Sequence, residues 1–163
     1  MKVAFLGPEG TFTQQAVTRH FGHSVHGVSL PTIDEVFEQV QSGDSDFGVV
    51  PVENSTQGIV SHTLDMFLFS DLKICGEIEL RVHQNLLSLA KSLEQIERVY
   101  SHEQSLSQCR NWLRTHLPGV EFIAVSSNSE AARRVRNTPE SAAIGGRAAA
   151  EIYGLPVLFA DIE

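Results

Sequence analysis

Short apolar runs alternate with helix-period stretches along this chain. Val3 to Leu6 reads as a buried strand closed by Gly7-Pro8. The turn Gly7-Pro8-Glu9-Gly10-Thr11 leads into a helix, with Thr11 as N-cap and Phe12, Ala16, Val17 and His20 on one face. Val25 to Leu30 is a weaker strand. Thr32-Ile33-Asp34-Glu35 has capping-box spacing and opens a helix with Val36, Phe37 and Val40 inward and Gly43 as its stop. Phe47 to Val52 is a third strand, and Val60, Leu64, Phe67 and Leu68 space a helix near 59–69. The order β-α-β-α-β-α predicts a parallel sheet with right-handed crossovers.

From Lys73 to Val82 the pattern changes. Ile78, Leu80 and Val82 alternate with Glu77, Glu79 and Arg81, which predicts a half-exposed strand running on into Leu86-Leu87-Ser88-Leu89-Ala90. Its length suggests a crossing into a second lobe, where a new α/β series begins. Arg98 to Tyr100 is a strand, followed by Ser101 and Gln104 at capping-box spacing and a helix carrying Leu106, Cys109, Leu113 and Leu117 up to Pro118-Gly119. Glu121 to Val125 is a strand, Ser127 and Glu130 cap a short helix, and Ala142 to Ile144 is a small-residue strand. Gly145-Gly146 opens a helix ending at Tyr153-Gly154, and Pro156 to Ile162 is a last extended run, taken as a second crossing. The expected fold class is α/β: two lobes around a cleft. Lobe 1 covers about residues 1–78 plus 158–163, and lobe 2 about 79–157.

The strand ends carry the candidate chemistry. Glycine-rich or polar helix starts follow at 7–11, 53–56, 101–104 and 145–147. In an open α/β sheet, ligands bind beyond the carboxyl ends of the strands. There, free backbone N–H groups and the helix dipole favour anions. Glu53-Asn54-Ser55-Thr56 is more polar than a cap requires, although Asn54 and Ser55 also suit a plain helix cap. The glycines at 7 and 10 match neither a phosphate loop nor a dinucleotide fingerprint. Thr11 could be N-cap or ligand contact, and a capping box accounts for Ser101 and Gln104 without a ligand.

Composition narrows the classes. With 12 Lys+Arg against 20 Asp+Glu, the net charge is −8, which disfavours nucleic acid and anionic membranes as partners. Cys75 and Cys109 have neither metal-site spacing nor the number for a disulfide framework, so a reducing cytoplasm fits. The first residues reach Gly7-Pro8 too soon for a signal peptide, and apolar runs fall short of the roughly 20 residues of a membrane span.

The same residues resemble a known family. Val3-Ala4-Phe5-Leu6-Gly7-Pro8-Glu9-Gly10-Thr11-Phe12-Thr13, followed by Val50-Pro51-Val52-Glu53-Asn54-Ser55-Thr56-Gln57-Gly58, is similar to prephenate dehydratase. Ser101-His102-Glu103-Gln104-Ser105-Leu106 resembles that family's Ser-His-Pro-Gln-Ala-Leu segment, with Glu103 in the proline position. Ser141-Ala142-Ala143-Ile144 and Ala148 to Leu155 match in order. The resemblance implies two lobes of the periplasmic-binding-protein type and conversion of prephenate to phenylpyruvate in phenylalanine biosynthesis. It also implies no cofactor, a cytoplasmic location and a homo-oligomer, expected to be a dimer. The family's Thr-Arg-Phe motif should follow a segment like Val157 to Glu163 and has no counterpart in this chain, nor has a regulatory ACT domain.

Prephenate carries two carboxylates and a ring hydroxyl, so the site must hold a dianion and protonate a leaving hydroxyl. On the resemblance, the catalytic candidates are Glu53, Asn54 and Ser55. Asn54 and Ser55 would donate to the substrate, and Glu53 would orient them, act as the acid if buried, or simply accept nearby backbone N–H groups. Thr11, Thr56, Ser101, His102, Gln104 and Gly145 are the substrate-binding candidates. Arogenate dehydration, or non-catalytic binding of a small anion by the same fold, are the alternatives.

Overall fold

The computed structural model describes residues 1–54 and 58–163, in two compact units, Met1–Leu80 and Arg81–Glu163. In the first, β1 (Lys2–Leu6) lies between β2 (His26–Leu30) and β3 (Phe47–Val49), with every pairing parallel. α1 (Phe12–Phe21) and α2 (Ile33–Gln41) are the connections, as the β-α-β pattern requires. Val3, Phe5, Ala16, Val17 and Val49 form the core. α2 crosses β3 so closely that a Cβ on Gly48 would lie 3.0 Å from Val36 Cγ1 and 3.1 Å from Val40 Cγ2, a tight contact that those side chains would have to yield to.

Two expectations in this unit need correction. Glu53 and Asn54 do not open a helix. They form β4 (Glu53–Asn54), hairpinned antiparallel with β5 (Gly58–Ile59). The ladder and the bond from Val60 N–H to Val52 O (2.8 Å) take up the backbone groups a helix start would leave open. α3 (Ser61–Phe69) begins later, with Val60 at its N-cap and no side-chain cap bond. It is fastened by the Thr63 hydroxyl donating to Pro51 O (2.7 Å) and by Phe67 edge-on against Phe37 of α2. The alternating run 73–82 joins no sheet among the described residues. Ile78 and Leu80 instead pack against the first core, so the alternation records burial on one side without a ladder.

The second unit is a five-stranded mixed sheet, ordered β10-β6-β9-β7-β8. In chain order its elements are β6 (Asn85–Ser88), a 3-10 turn (Leu93–Gln95) and β7 (Arg98–His102), followed by α4 (Glu103–Gln108), α5 (Arg110–His116), β8 (Glu121–Val125), α6 (Asn128–Val135), β9 (Ser141–Gly145), α7 (Arg147–Tyr153) and β10 (Val157–Phe159). β9, β7 and β8 are parallel; β6 runs against β9 and β10. β9 is buried throughout, because both its faces are covered. Ala142 and Ile144 join Leu86, Val99, Leu113 and Ile162 on one side. Ala143 joins Leu87, Ala131, Ala132 and Ala149 on the other. Its small residues let α6 and α7 approach closely. The helix expected to run from Gln104 through Leu117 is broken at Cys109, whose backbone (φ −91°, ψ 3°) separates α4 from α5.

Residues 158–163, expected to return to lobe 1, belong to this second unit. β10 pairs with β6 at Val157–Leu87 and Phe159–Leu86, Ile162 N–H donates to Gln84 O (2.8 Å), and the Ile162 side chain is buried. The buried pairing of β6 outweighs the sequence hint of a second crossing. The division falls between Leu80 and Arg81 instead of near 78. Among the described residues, no helix is long and apolar enough to cross a membrane.

Candidate active site

In the first unit, Thr11 is the N-cap of α1. Its hydroxyl accepts from Gln14 N–H (3.4 Å) and donates to Leu6 O (3.3 Å). The Gln14 side chain returns to accept from Gly10 N–H (2.6 Å). A Cβ on Gly7 would fall 2.0 Å from Ser29 Oγ, so Gly7 answers a close approach between strand ends. Thr11 thus has the structural role the sequence allowed. Asn54 is half-buried on β4, and Glu53 beside it is exposed, so the burial required for Glu53 as an acid is absent. Ser55 and Thr56 lie outside the described residues.

The second unit concentrates polar side chains at the carboxyl ends of its parallel strands. β7 ends at His102, β8 is followed by Asn128, and β9 ends at Gly145. Ser101 is wholly buried, and its hydroxyl donates to Asn128 Oδ1 (2.9 Å). The same oxygen accepts from His102 N–H (3.0 Å). Asn128 Nδ2 donates to Ser105 Oγ (2.8 Å) and Gln84 Oε1 (3.4 Å), and Gln84 Nε2 donates to Gln108 Oε1 (3.1 Å). The expected Ser101–Gln104 capping box is replaced. His102 caps α4, its Nδ1 accepting from Gln104 N–H (3.3 Å), while Ser101 stays in the strand and turns toward Asn128. Gly145 is buried: its carbonyl accepts from Asn85 Nδ2 (3.1 Å), and a Cβ there would press on Leu87 Cδ1 at 3.3 Å.

Ser101, His102, Gln104 and Gly145 are therefore brought to one sheet edge, around Asn128 and Gln84, which sequence reading missed. A signal existed for both. Asn128 follows a strand end, and Gln84-Asn85 puts two amides inside an apolar run, where an unsatisfied polar group would be costly. Both amides are buried and hydrogen-bonded. Close by, His83 Nδ1 lies 3.1 Å from Asp161 Oδ1 and 3.0 Å from Glu163 Oε1. Burial alone would raise the Glu163 carboxyl, but the Gln84 N–H (2.8 Å) and His83 outweigh it and hold it below the usual carboxylate range. These three side chains are the group with metal-ligating atoms in mutual reach among the described residues, within 4.8 Å, and His83 pairs with both carboxylates.

The mixed α/β fold is of the kind seen in periplasmic substrate-binding proteins. A nutrient-binding protein from Burkholderia cenocepacia bound to methionine superposes with a TM-score of 0.51 over 100% of this chain and 78% of its own, at 12% identity. The family is more specific: the model for prephenate dehydratase matches residues 3–163, and the chain belongs to that family. A bifunctional chorismate mutase/prephenate dehydratase of Stutzerimonas stutzeri is 56% identical over all of this chain and 45% of its own length. A prephenate dehydratase from Arthrobacter aurescens in complex with L-Phe gives a TM-score of 0.90 at 31% identity, over 99% of this chain and 55% of that one. The chain spans about half the length of the curated relatives it matches.

Proposed function

We propose that this chain carries the prephenate-binding and catalytic side chains of a prephenate dehydratase, converting prephenate to phenylpyruvate in phenylalanine biosynthesis. The family match over residues 3–163 carries this reading. In the reaction the bond to the ring carboxylate breaks and its electron pair aromatises the ring. The ring hydroxyl leaves as water on taking one proton, and the carboxylate leaves as carbon dioxide. The protein's task is to hold the dianion, deliver that proton and let the departing carboxylate shed water. Asn54 and Ser55 donate to the substrate, with Glu53 orienting them. Thr11, Thr56, Ser101, His102, Gln104 and Gly145 shape the rest. Since Ser101 is buried, it acts from behind the turn. We place the protein in the cytoplasm as a homodimer, which light scattering tests.

The activity test is phenylpyruvate release from prephenate, followed by absorbance in alkali. It is run on the chain and on the chain extended through a Thr-Arg-Phe segment of the family type. Release above the spontaneous rate is expected. If arogenate alone is converted, the substrate is arogenate. If neither compound is converted but prephenate binds, the chain is a small-anion binding module.

A further inference from the structure

We infer that Asn128 is the positioning residue of the polar cluster at the strand ends of the second unit, an inference that rests on the function proposed above. His102 N–H can only donate, so the Asn128 atom facing it at 3.0 Å is its oxygen. That one donor fixes the direction of the whole polar chain. With Asn128 Oδ1 turned to His102, the Ser101 hydroxyl must give its proton to the same oxygen at 2.9 Å. Ser101 then has lone pairs and no proton to offer. Asn128 Nδ2 is thereby turned to Ser105 and Gln84, which presents its oxygen to Asn128 and its nitrogen to Gln108. The Asn128 amide thus uses two accepting and two donating positions, all that an amide has.

What Asn128 holds is the β7–α4 turn itself. Its oxygen anchors the last two residues of β7, and its nitrogen anchors Ser105 in the first turns of α4. It reaches them from the start of α6, where Ser127 Oγ accepts from Glu130 N–H (3.0 Å) and fixes the helix entry. A Cβ added to Gly145 would lie 3.8 Å from Asn128 Cβ, so the end of β9 is fitted to the same residue. One side chain from the β8–α6 turn therefore sets the positions of His102, Gln104 and, through Gln84, Gln108. A helix-start Asn at this position serves no cap, because Ser127 is the cap. Its bonds go sideways along the sheet edge.

Two substitutions separate positioning from folding. Asn128→Asp keeps the shape and both accepting bonds but cannot donate, so Ser105 and Gln84 must reverse and a negative charge enters beside a dianion site. Asn128→Ser keeps one short polar group and adds no charge. Prephenate turnover is measured with each in whichever form of the chain is active, together with thermal unfolding. Lost substrate positioning raises KM with little change in kcat. The expected rise is about tenfold or more for Asn128→Asp and less for Asn128→Ser, the range of a lost buried hydrogen bond. A purely structural role would lower the melting temperature of both variants and leave KM of the folded fraction unmoved, which would overturn the inference. If either variant fails to fold, Gln84→Met tests the same chain through Gln108, with a raised KM again expected and an unchanged KM contradicting. An inactive parent would instead sink the dehydratase reading, and Asn128's role with it, distinguishing the two failures.

Discussion

At the scale of single residues, burial decides what each side chain can do. Cys109 is fully buried between α4 and α5, and burial, aided by the Glu163 charge, pushes its thiol up to about 12. Cys75 is exposed. A thiol reagent at pH 8 should therefore label Cys75 quickly and Cys109 only on unfolding; two fast equivalents in the native protein would contradict the packing. In the proposed reaction Asn54 is the residue on which the chemistry leans most. Asn54→Ala should raise the barrier by about 2–4 kcal/mol, as for the loss of a preorganised donor to developing charge. A near-normal kcat would reduce Asn54 to a hairpin residue. Thr11 was legible as an N-cap because a cap is a local matter of spacing. Ser101 was not, because its partner, Asn128, is distant in sequence and adjacent only once β7 and β8 pair.

At the scale of elements, apolar period and caps marked most helices and the parallel order of the first sheet, while the Glu53–Asn54 hairpin and the β10–β6 pairing were not legible. α6 shows the local side. Ser127 caps it, and Glu130 reaches Arg133 and Arg134 at 2.7 Å each, which holds the Glu130 carboxyl at about 2. Ser127→Ala should cost about 1 kcal/mol of stability by chemical denaturation, the usual worth of such a cap. Glu130→Gln should cost less, since exposed ion pairs contribute only a few tenths. The segment 158–163 shows the non-local side. An extended run taken as a second crossing sent it back to the first lobe, yet the open edge of β6 and the buried Ile162 keep it in the second. Its tie through Glu163 depends on pH. A carboxyl held below its ordinary 4.5 stabilises the fold fully above that value and loses the contribution as pH falls through its lower folded value. Protection of the Ile162 amide, corrected for intrinsic exchange, should fall on acidification below about 4.5, and Glu163→Gln should flatten that dependence.

At the scale of the molecule, each unit has its own core, and each presents polar groups where strands end. The α/β class and a second series of strands beginning after the 73–82 run were readable from pattern alone. So was the gathering of polar or glycine positions at the ends of β7 and β9. The hairpin at Glu53–Asn54 was not readable, because a polar strand end resembles a helix cap until the antiparallel partner at Gly58–Ile59 is known. The resemblance supplied a substrate that no spacing argument could. The most direct test is phenylpyruvate formation from prephenate by this chain and by the chain extended through the Thr-Arg-Phe segment. The account predicts release above the spontaneous rate in at least the extended form, reduced by Asn54→Ala. Release no faster than the spontaneous rate in both forms would contradict it.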